Sequence, residues 1–381
     1  MSGTPTDQFA LTGWPWRAGN DFRLLDGAGE FFARMLEAID AAQLHVLLEM
    51  YLVSSGRVAG SFIEALTRAR ARGVRCCVMF DGFGALGLTA LDRRRLESAG
   101  VELRIFNPLN WRNRLRNFMR DHRKLLTVDG EVAFVGGAGL SDEFAPGPTA
   151  WRELMIEIHG PVVADWQHAF AESWRRAGPD LALPEPPSAA LPGGASGRVS
   201  LSEARPSSLL ARGVMHRIDA ARVRAWIVSA YFVPSRRFRK ALRRAARRGV
   251  DVRLLMPSAR TDHPWVRQAA RRFYGRMLRS GVRIYEYQPA VLHAKMIICD
   301  DWLSIGSSNL DRWSFKWNLE ANQEVDDRTV ADVAAALFAA DLAVSAALSR
   351  RHWSRRGALD RLRERIAGAL DSWLEGWRRP P

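Results

Sequence analysis

Two short segments of the chain place histidine and lysine two residues apart, each with an aspartate five residues after the lysine. These residues are His122, Lys124 and Asp129 in the first segment, and His293, Lys295 and Asp300 in the second. Lysine is scarce, with four lysines against 52 arginines. Arginine could have met a general need for positive charge, so a compact ammonium at both places indicates a specific role beside each imidazole.

Two imidazoles and two ammonium groups could together attack a phosphodiester. One histidine would act as the nucleophile and form a covalent phosphohistidine, while the other protonates the leaving alkoxide and later activates the second nucleophile. The ammonium groups of Lys124 and Lys295 would stabilise charge on the non-bridging oxygens without a metal. The three cysteines lack zinc-binding spacing, and we predict no cofactor.

Further candidates flank the two motifs. Ser307, Ser308 and Asn309 follow the second motif after Gly306 and could donate hydrogen bonds to the same phosphate. Each imidazole also needs a partner on its other ring nitrogen. Glu153, 31 residues after His122, and Glu320, 27 residues after His293, are the candidates, although each could be an ordinary surface carboxylate. The other six histidines have no matching arrangement and are given no role: His45, His159, His168, His216, His263 and His352.

Each motif is expected on the first strand of a hairpin. Asp129-Gly130 separates two apolar strand-like runs, and Asp300-Asp301 does the same in the second motif. Residues two apart on a strand share a face, so each His–Lys pair should point together. The turn position of Asp129 and Asp300 favours a structural role for them within their motifs, closing the hairpin and supporting the strand.

The motifs belong to a longer internal repeat. Residues 43–53 resemble 222–233, 69–82 resemble 245–258, and 97–108 resemble 278–289, so each half is a copy of about 170 residues. Segments 62–73 and 238–249 are amphipathic, end in glycine and precede apolar runs, which predicts helices followed by strands. This alternation predicts an α/β fold. If the copies pack as a pseudo-twofold pair, two histidines and two lysines converge on one site.

These features predict the following boundaries: an N-terminal domain at 1–177, a Pro-, Gly- and Ser-rich linker at 178–196, a C-terminal domain at 197–348 and a tail at 349–381. In the tail, leucine and tryptophan recur at helical spacing with arginine between them. This pattern is typical of a basic amphipathic helix on a membrane surface, although a helix docked on the protein body has the same pattern.

The net charge of +15 and the isoelectric point near 10.8 favour an anionic partner, either nucleic acid or an anionic membrane. The N-terminus lacks the pattern of a signal peptide, and no stretch approaches the roughly 18 apolar residues that span a bilayer. The sequence therefore predicts a cytoplasmic protein that is at most peripheral to a membrane.

The paired motifs resemble the phospholipase D superfamily, whose signature HxKxxxxD occurs twice and is followed by a Gly-Ser/Gly-x-Asn element. The segments DHRKLLTVDG, WRELMIEIHGP and SFKWNLEAN are similar to the bacterial cardiolipin synthase branch, in its shorter form without N-terminal membrane helices. The resemblance implies two tandem α/β/α domains with one shared active site, a peripheral location on the cytoplasmic side of the inner membrane, and phosphatidylglycerol as the lipid partner.

The resemblance also implies a reaction. Histidine would take a phosphatidyl group from phosphatidylglycerol, releasing glycerol, and a second phosphatidylglycerol would accept it to give cardiolipin. The family analogy favours His122 as the nucleophile. Gly139 stands where the family has asparagine, which removes one phosphate donor from the first half. Two alternatives remain: the same chemistry with water as acceptor, in a phospholipase or nuclease, and a non-catalytic protein that binds anionic membranes. The acceptor, acyl specificity and oligomeric state stay open.

Overall fold

The computed structural model describes residues 14–110, 116–187, 189–203, 209–311, 314, 317–357, 364 and 366. The predicted amphipathic tail at 349–381 lies mostly outside the described residues. Its described beginning is a short helix whose Trp353 is buried against Tyr274. No helix within these described ranges is long and apolar enough to span a membrane.

Within the described ranges, the first half contributes eight strands to the sheets, and the second half contributes ten. They are β1 Arg17–Asp26, β2 His45–Met50, β3 Arg75–Asp81, β4 Glu102–Phe106, β5 Arg120–Asp121, β6 Lys124–Val128, β7 Val132–Gly136, β8 Leu154–His159, β9 Ala195–Glu203, β10 Arg224–Val228, β11 Phe232–Val233, β12 Asp251–Pro257, β13 Arg283–Tyr287, β14 Met296–Cys299, β15 Trp302–Gly306, β16 Leu310–Asp311, β17 Asn318–Asp326 and β18 Ser345–Ala347.

The described helices follow the strands in alternation. They are α1 Ala28–Ala41, α2 Arg57–Ala71, α3 Ala90–Ser98, α4 Val162–Arg176, α5 Leu209–Ala220, α6 Arg236–Arg247, α7 Pro264–Arg271, α8 Tyr274–Leu278, α9 Arg328–Ala343 and α10 Arg350–Ser354. The two predicted amphipathic helices are confirmed as α2 and α6. Each is followed by a glycine with positive φ, Gly73 at 90° and Gly249 at 93°, and then by a parallel strand.

The strand order displays the internal repeat as an approximate twofold. The antiparallel pair β1–β9 lies at the middle of one continuous sheet. On one side the order is β8-β7-β6-β2-β3-β4, and on the other side it is β17-β15-β14-β10-β12-β13-β18. The strand β9 begins at Ala195, one residue before the predicted end of the linker. The predicted α/β fold with two paired copies is therefore present, and both copies share one sheet.

Three layers of apolar side chains hold this arrangement together. The outer layer of the first half packs α1 and α2 on the sheet through Phe31 and Phe62, and that of the second half packs α6 through Phe238. The central layer contains residues of both halves, including Trp166 from α4 and Phe338 from α9, all buried. Because this central core is shared, burial of apolar surface fixes the two halves in one relative position.

The two motif hairpins form as predicted. Asp129 and Asp300 occupy the turns with φ of 55° and 52°, and each carboxylate accepts three backbone N–H groups from the loop before the neighbouring strand. For Asp129 the donors are residues 43, 44 and 45 at 2.7–2.8 Å; for Asp300 they are residues 222, 223 and 224 at 2.8–2.9 Å. Each aspartate therefore joins its hairpin to the adjacent antiparallel strand, β2 or β10.

Candidate active site

Backbone pairing between the halves brings the two histidines to one place. The short strand β5 runs parallel to the start of β17, and the N–H of His122 donates to the carbonyl of Leu319 at 2.9 Å. In the same way the N–H of His293 donates to the carbonyl of Arg152 at 2.9 Å. Each histidine is thus held next to the residue before a glutamate of the other half, Glu320 or Glu153.

The glutamates pair with the histidines across the halves. His122 Nδ1 lies 2.9 Å from Glu320 Oε2, and His293 Nδ1 lies 2.6 Å from Glu153 Oε2. The sequence analysis names both glutamates as candidate partners. In the chain each glutamate follows the histidine of its own copy, but in the structure each contacts the histidine of the other copy. All four side chains are buried.

The two lysines occupy different environments. Lys124 Nζ donates to the carbonyl of His122 at 2.6 Å and lies 4.9 Å from the centre of the Tyr51 ring, at the cavity wall. Lys295 Nζ lies 2.7 Å from His293 Nδ1 and 3.4 Å from Glu153 Oε2. Lys124 therefore faces the space where a substrate would lie. Lys295 contacts the His293–Glu153 pair and does not line the cavity.

Burial sets the protonation of this cluster. It lowers the pKa of Lys124 to about 7, against the attraction of Glu320. Burial and the charges of Lys295 and Lys124 hold the pKa of His293 well below its usual value, and burial also lowers that of His122. Both imidazoles are therefore neutral near pH 7. With Nδ1–H donating to a carboxylate, Nε2 keeps its lone pair for a nucleophilic or basic role.

The two carboxylates are not equivalent. Burial raises the pKa of Glu153. For Glu320 burial also acts to raise the pKa, but His122 and Lys124 outweigh it and the net shift is downward. Ser307 Oγ adds a hydrogen bond to Glu320 Oε2 at 2.5 Å. Glu320 is thus an ionised acceptor that can stabilise positive charge on His122.

The segments that follow the two hairpins also differ between the halves. Ser307, a predicted phosphate donor, donates its hydroxyl to Glu320 and does not line the cavity. Its counterpart in the first half is Gly137, where a Cβ would lie 2.3 Å from Glu153 Oε2. The first half therefore excludes a side chain at this position because Glu153 fills the space.

The positions of Asn309 and Gly139 also differ. Asn309 lines the cavity, and its Oδ1 accepts the N–H of Tyr231 at 3.3 Å. At Gly139 a Cβ would lie 2.6 Å from Leu52 Cβ and 2.7 Å from the Leu52 carbonyl oxygen. The glycine is therefore required by close packing against Leu52. Ser308 does not line the cavity, and its N–H donates to Asn322 Oδ1 at 3.2 Å.

Asp129 and Asp300 lie outside this cluster, although each belongs to a predicted catalytic motif. Each lies at the far end of its strand, about 16 Å from the lysine of its motif at the usual rise of a β-strand. Their carboxylates are occupied by the backbone N–H groups described above. The turn position had indicated this structural role, and the structure places both residues there.

A cavity of about 610 Å³ opens onto the two histidines. Its first-half wall is largely apolar, with Tyr51, Leu52, Phe144 and Trp151. Its second-half wall combines apolar residues, Val233, Trp265, Val266 and Ala269, with polar residues that lie outside the sequence motifs: Tyr231, Asp262, His263 and Asp311. The Tyr231 hydroxyl donates to Asp262 Oδ2. No spacing signal marks these residues, because they follow different strands and meet only in the folded chain. Within the described ranges, no group of three or more side chains is placed to hold a metal ion.

Two buried histidines with carboxylate partners on a duplicated α/β scaffold define a phospholipase D-type site. Residues 35–174 and 214–342 match the family model described as cardiolipin synthase, PLD-like domain. The chain belongs to this family and is a phospholipase D-superfamily transferase.

Relatives extend over most of the chain. Cardiolipin synthase A of Pseudomonas putida (strain W619) is 34% identical over 370 residues, covering 94% of this chain and 76% of the relative. Cardiolipin synthase A of Pseudomonas aeruginosa (strain LESB58) is 35% identical over 343 residues, covering 88% and 69%. Among solved structures, phosphatidylserine synthase of Haemophilus influenzae Rd KW20 superposes with a TM-score of 0.73 at 14% identity, covering 96% of each chain, which supports the fold.

Proposed function

We propose that this protein is a phosphatidyltransferase that makes cardiolipin from two molecules of phosphatidylglycerol through a covalent phosphohistidine, without a metal ion. The observation that carries the proposal is the convergence of His122 and His293 on one cavity, each with Nδ1 on a buried carboxylate. The names of its relatives favour the lipid substrate. The protein would act at the cytoplasmic face of the inner membrane, as a peripheral protein.

In the first step, His122 Nε2 attacks phosphorus and the P–O bond to the headgroup glycerol breaks. The departing alkoxide takes a proton from His293, whose protonated form is favoured once the anionic phosphodiester is bound. His122 acquires positive charge as the P–N bond forms, and the ionised Glu320 stabilises it. Lys124 faces the phosphate and compensates the non-bridging oxygens. We assign the attack to His122 because its partner is the more acidic carboxyl.

In the second step, neutral His293 removes a proton from a hydroxyl of the second phosphatidylglycerol, and that oxygen attacks phosphorus. The P–N bond to His122 breaks and the imidazole regains its lone pair. Glu153 and Lys295 hold the ring of His293 in place during both proton transfers. Asp262 and His263, on the second-half wall, are suitably placed to hydrogen-bond the hydroxyls of the glycerol headgroup.

The character of the cavity favours a lipid over a nucleic acid strand. Asp262 and Asp311 on its wall would repel a polyanion, whereas Leu52, Phe144 and Trp151 offer apolar contact for a glycerolipid. Neither carboxylate is needed to bind the phosphate, so their presence agrees with recognition of a polyol headgroup.

The test uses vesicles of headgroup-labelled phosphatidylglycerol. We expect release of labelled glycerol together with cardiolipin in the wild type, and no product from the His122→Ala and His293→Ala variants. His168→Ala, an exposed histidine on α4, is the matched control and should retain full activity. Phosphatidic acid as the main product would assign water as the acceptor, and cleavage of single-stranded DNA in its place would assign a nuclease. Wild-type cardiolipin formation by both alanine variants would refute the proposal.

A further inference from the structure

A second cavity of about 670 Å³ lies outside the active site, between α6 and α8. Eight basic side chains line it, and its apolar surface comes from Phe273 and Met277. We call it the basic cavity. The lining cations used in the argument are Arg236, Arg237, Lys240, Arg243, Arg247 and Arg276.

Most of this positive charge is uncompensated. Arg244 pairs with Asp219 at 2.5 Å, and Arg243 Nε donates to the hydroxyl of Ser280 at 3.0 Å. Within the described ranges, no carboxylate lies within ion-pair distance of Arg236, Arg237, Lys240, Arg247 or Arg276. Like charges that lie close together repel one another and destabilise a folded protein. An anionic ligand bound in the cavity would offset this repulsion.

The internal repeat shows that the fold does not require these cations. The pair Arg244–Asp219 has a counterpart in α2, where Arg68 pairs with Asp40 at 2.8 Å. The positions that match Lys240, Arg243 and Arg247 are instead glutamate, threonine and alanine, at 64, 67 and 71. The conserved ion pair thus supports the helix in both halves, and the additional positive charge is particular to the second half.

The basic cavity adjoins the active-site cavity. A small apolar cluster of Val233, Val266, Ala269 and Phe273 lies between them. Its first three members line the active-site cavity, and Phe273 lines the basic cavity. A lipid bound in the basic cavity would therefore lie on the same part of the surface as a lipid bound for catalysis.

We propose that the basic cavity binds the phosphate groups of anionic phospholipid headgroups at a membrane surface, separately from the catalytic site. The choice of phospholipid over another polyanion rests on the proposed function. Several Lys and Arg residues on one amphipathic helix are typical of such binding. The apolar face of α6, including Phe238 and Leu242, is buried in the core, so the helix engages headgroups without inserting into the bilayer.

The test compares two triple variants that remove the same charge. The cavity variant is Lys240→Gln, Arg247→Gln and Arg276→Gln. The control variant replaces three exposed arginines on other elements, Arg94→Gln, Arg175→Gln and Arg222→Gln. Both carry His293→Ala, so that vesicle lipid is not consumed. Binding is measured by flotation with vesicles mixed two-to-one from phosphatidylcholine and phosphatidylglycerol, and with pure phosphatidylcholine vesicles.

We expect the cavity variant to bind mixed vesicles roughly 100-fold more weakly than its parent, from about a fivefold loss per cation near an anionic surface. The control variant should lose only a few-fold through its reduced net charge. Equal losses in the two variants would overturn the proposal. So would loss of binding to a single-stranded oligonucleotide with vesicle binding retained, since that outcome assigns the cavity to nucleic acid.

The thermal stability of the cavity variant, and the independence of the binding assay from turnover, complete the test. The thermal unfolding midpoint of the cavity variant should equal or exceed that of its parent, because like charges are removed from an exposed surface. A lower midpoint would contradict the view that these cations are uncompensated. The binding readout does not involve turnover, so failure of phosphatidylglycerol as a substrate would refute the proposed function and leave the vesicle result intact.

Discussion

Replacement of Glu320 by glutamine tests the exchange of partners between the halves. Glu320 Oε2 lies 2.9 Å from His122 Nδ1 and 2.5 Å from Ser307 Oγ, and Asn318 Nδ2 donates to Oε1 at 3.2 Å. All three neighbours can donate to the carboxylate. A glutamine amide can satisfy only part of this set, and it carries no charge to balance the imidazolium that forms when His122 attacks.

The magnitude follows from the distance. Two unit charges about 4 Å apart attract by about 4 kcal/mol at an effective dielectric of about 20. The glutamine dipole retains part of this stabilisation, so we expect the rate of the first step to fall roughly 100-fold, which is about 2.7 kcal/mol. The measurement is the single-turnover release of glycerol from headgroup-labelled phosphatidylglycerol.

Two variants make the comparison specific. Glu324→Gln is the control on the same strand, because Glu324 is also buried and pairs with Arg198 at 2.9 Å. It should share any general loss of stability and keep the first-step rate within a few-fold. Glu153→Gln should slow the steps that depend on His293, and the covalent phosphoryl group should still be found on His122. If Glu320→Gln kept the wild-type rate of His122 phosphorylation, the cross-half pairing would be refuted.

Three other predictions follow from the site. Because burial lowers the pKa of Lys124 to about 7 and a bound phosphodiester favours the charged amine, binding takes up a proton. In calorimetry the affinity for glycerophosphoglycerol should fall with rising pH, and above about pH 7 it should fall by about a further tenfold per pH unit, because Lys124 as well as His293 binds a proton with the phosphodiester; a flat wild-type profile would contradict this. Gly139→Asn should cost about 1–3 kcal/mol in urea unfolding, since its Cβ meets Leu52 at 2.6 Å, and a stable variant with higher activity would oppose this account. Asp129→Ala should lose about 3 kcal/mol of stability and keep activity per folded molecule; selective loss of activity without destabilisation would return Asp129 to the chemistry.

Much of the scaffold could be predicted because its signals are local. The hairpins follow from apolar alternation around Asp129-Gly130, and the helices α2 and α6 follow from their spacing and their final glycines. The repeat then implied a pair of copies and a shared site. This reasoning predicts that His122 and His293 lie close together, because a twofold axis that passes near one motif strand also passes near its counterpart in the other copy.

The partner assignments could not be predicted in the same way. Whether Glu153 serves His122 or His293 depends on pairing between distant strands, and the chain separations of 31 and 140 residues give no preference for the longer one. The role of His263 likewise depends on Tyr231, 32 residues earlier, whose ring lies 5.1 Å from it. Such contacts are set by tertiary packing, which leaves no periodic trace in the sequence.

The crossing of the glutamates also constrains how the two copies can change over time. A substitution of Glu153 alters the environment of His293, and a substitution of Glu320 alters that of His122, so each copy is selected through the performance of the other. The halves can diverge widely elsewhere, as α2 and α6 have done in charge. At the shared centre they are inherited as one unit, and neither copy could be replaced by an unmodified duplicate of its neighbour: Gly137 has no room for the side chain that Ser307 carries.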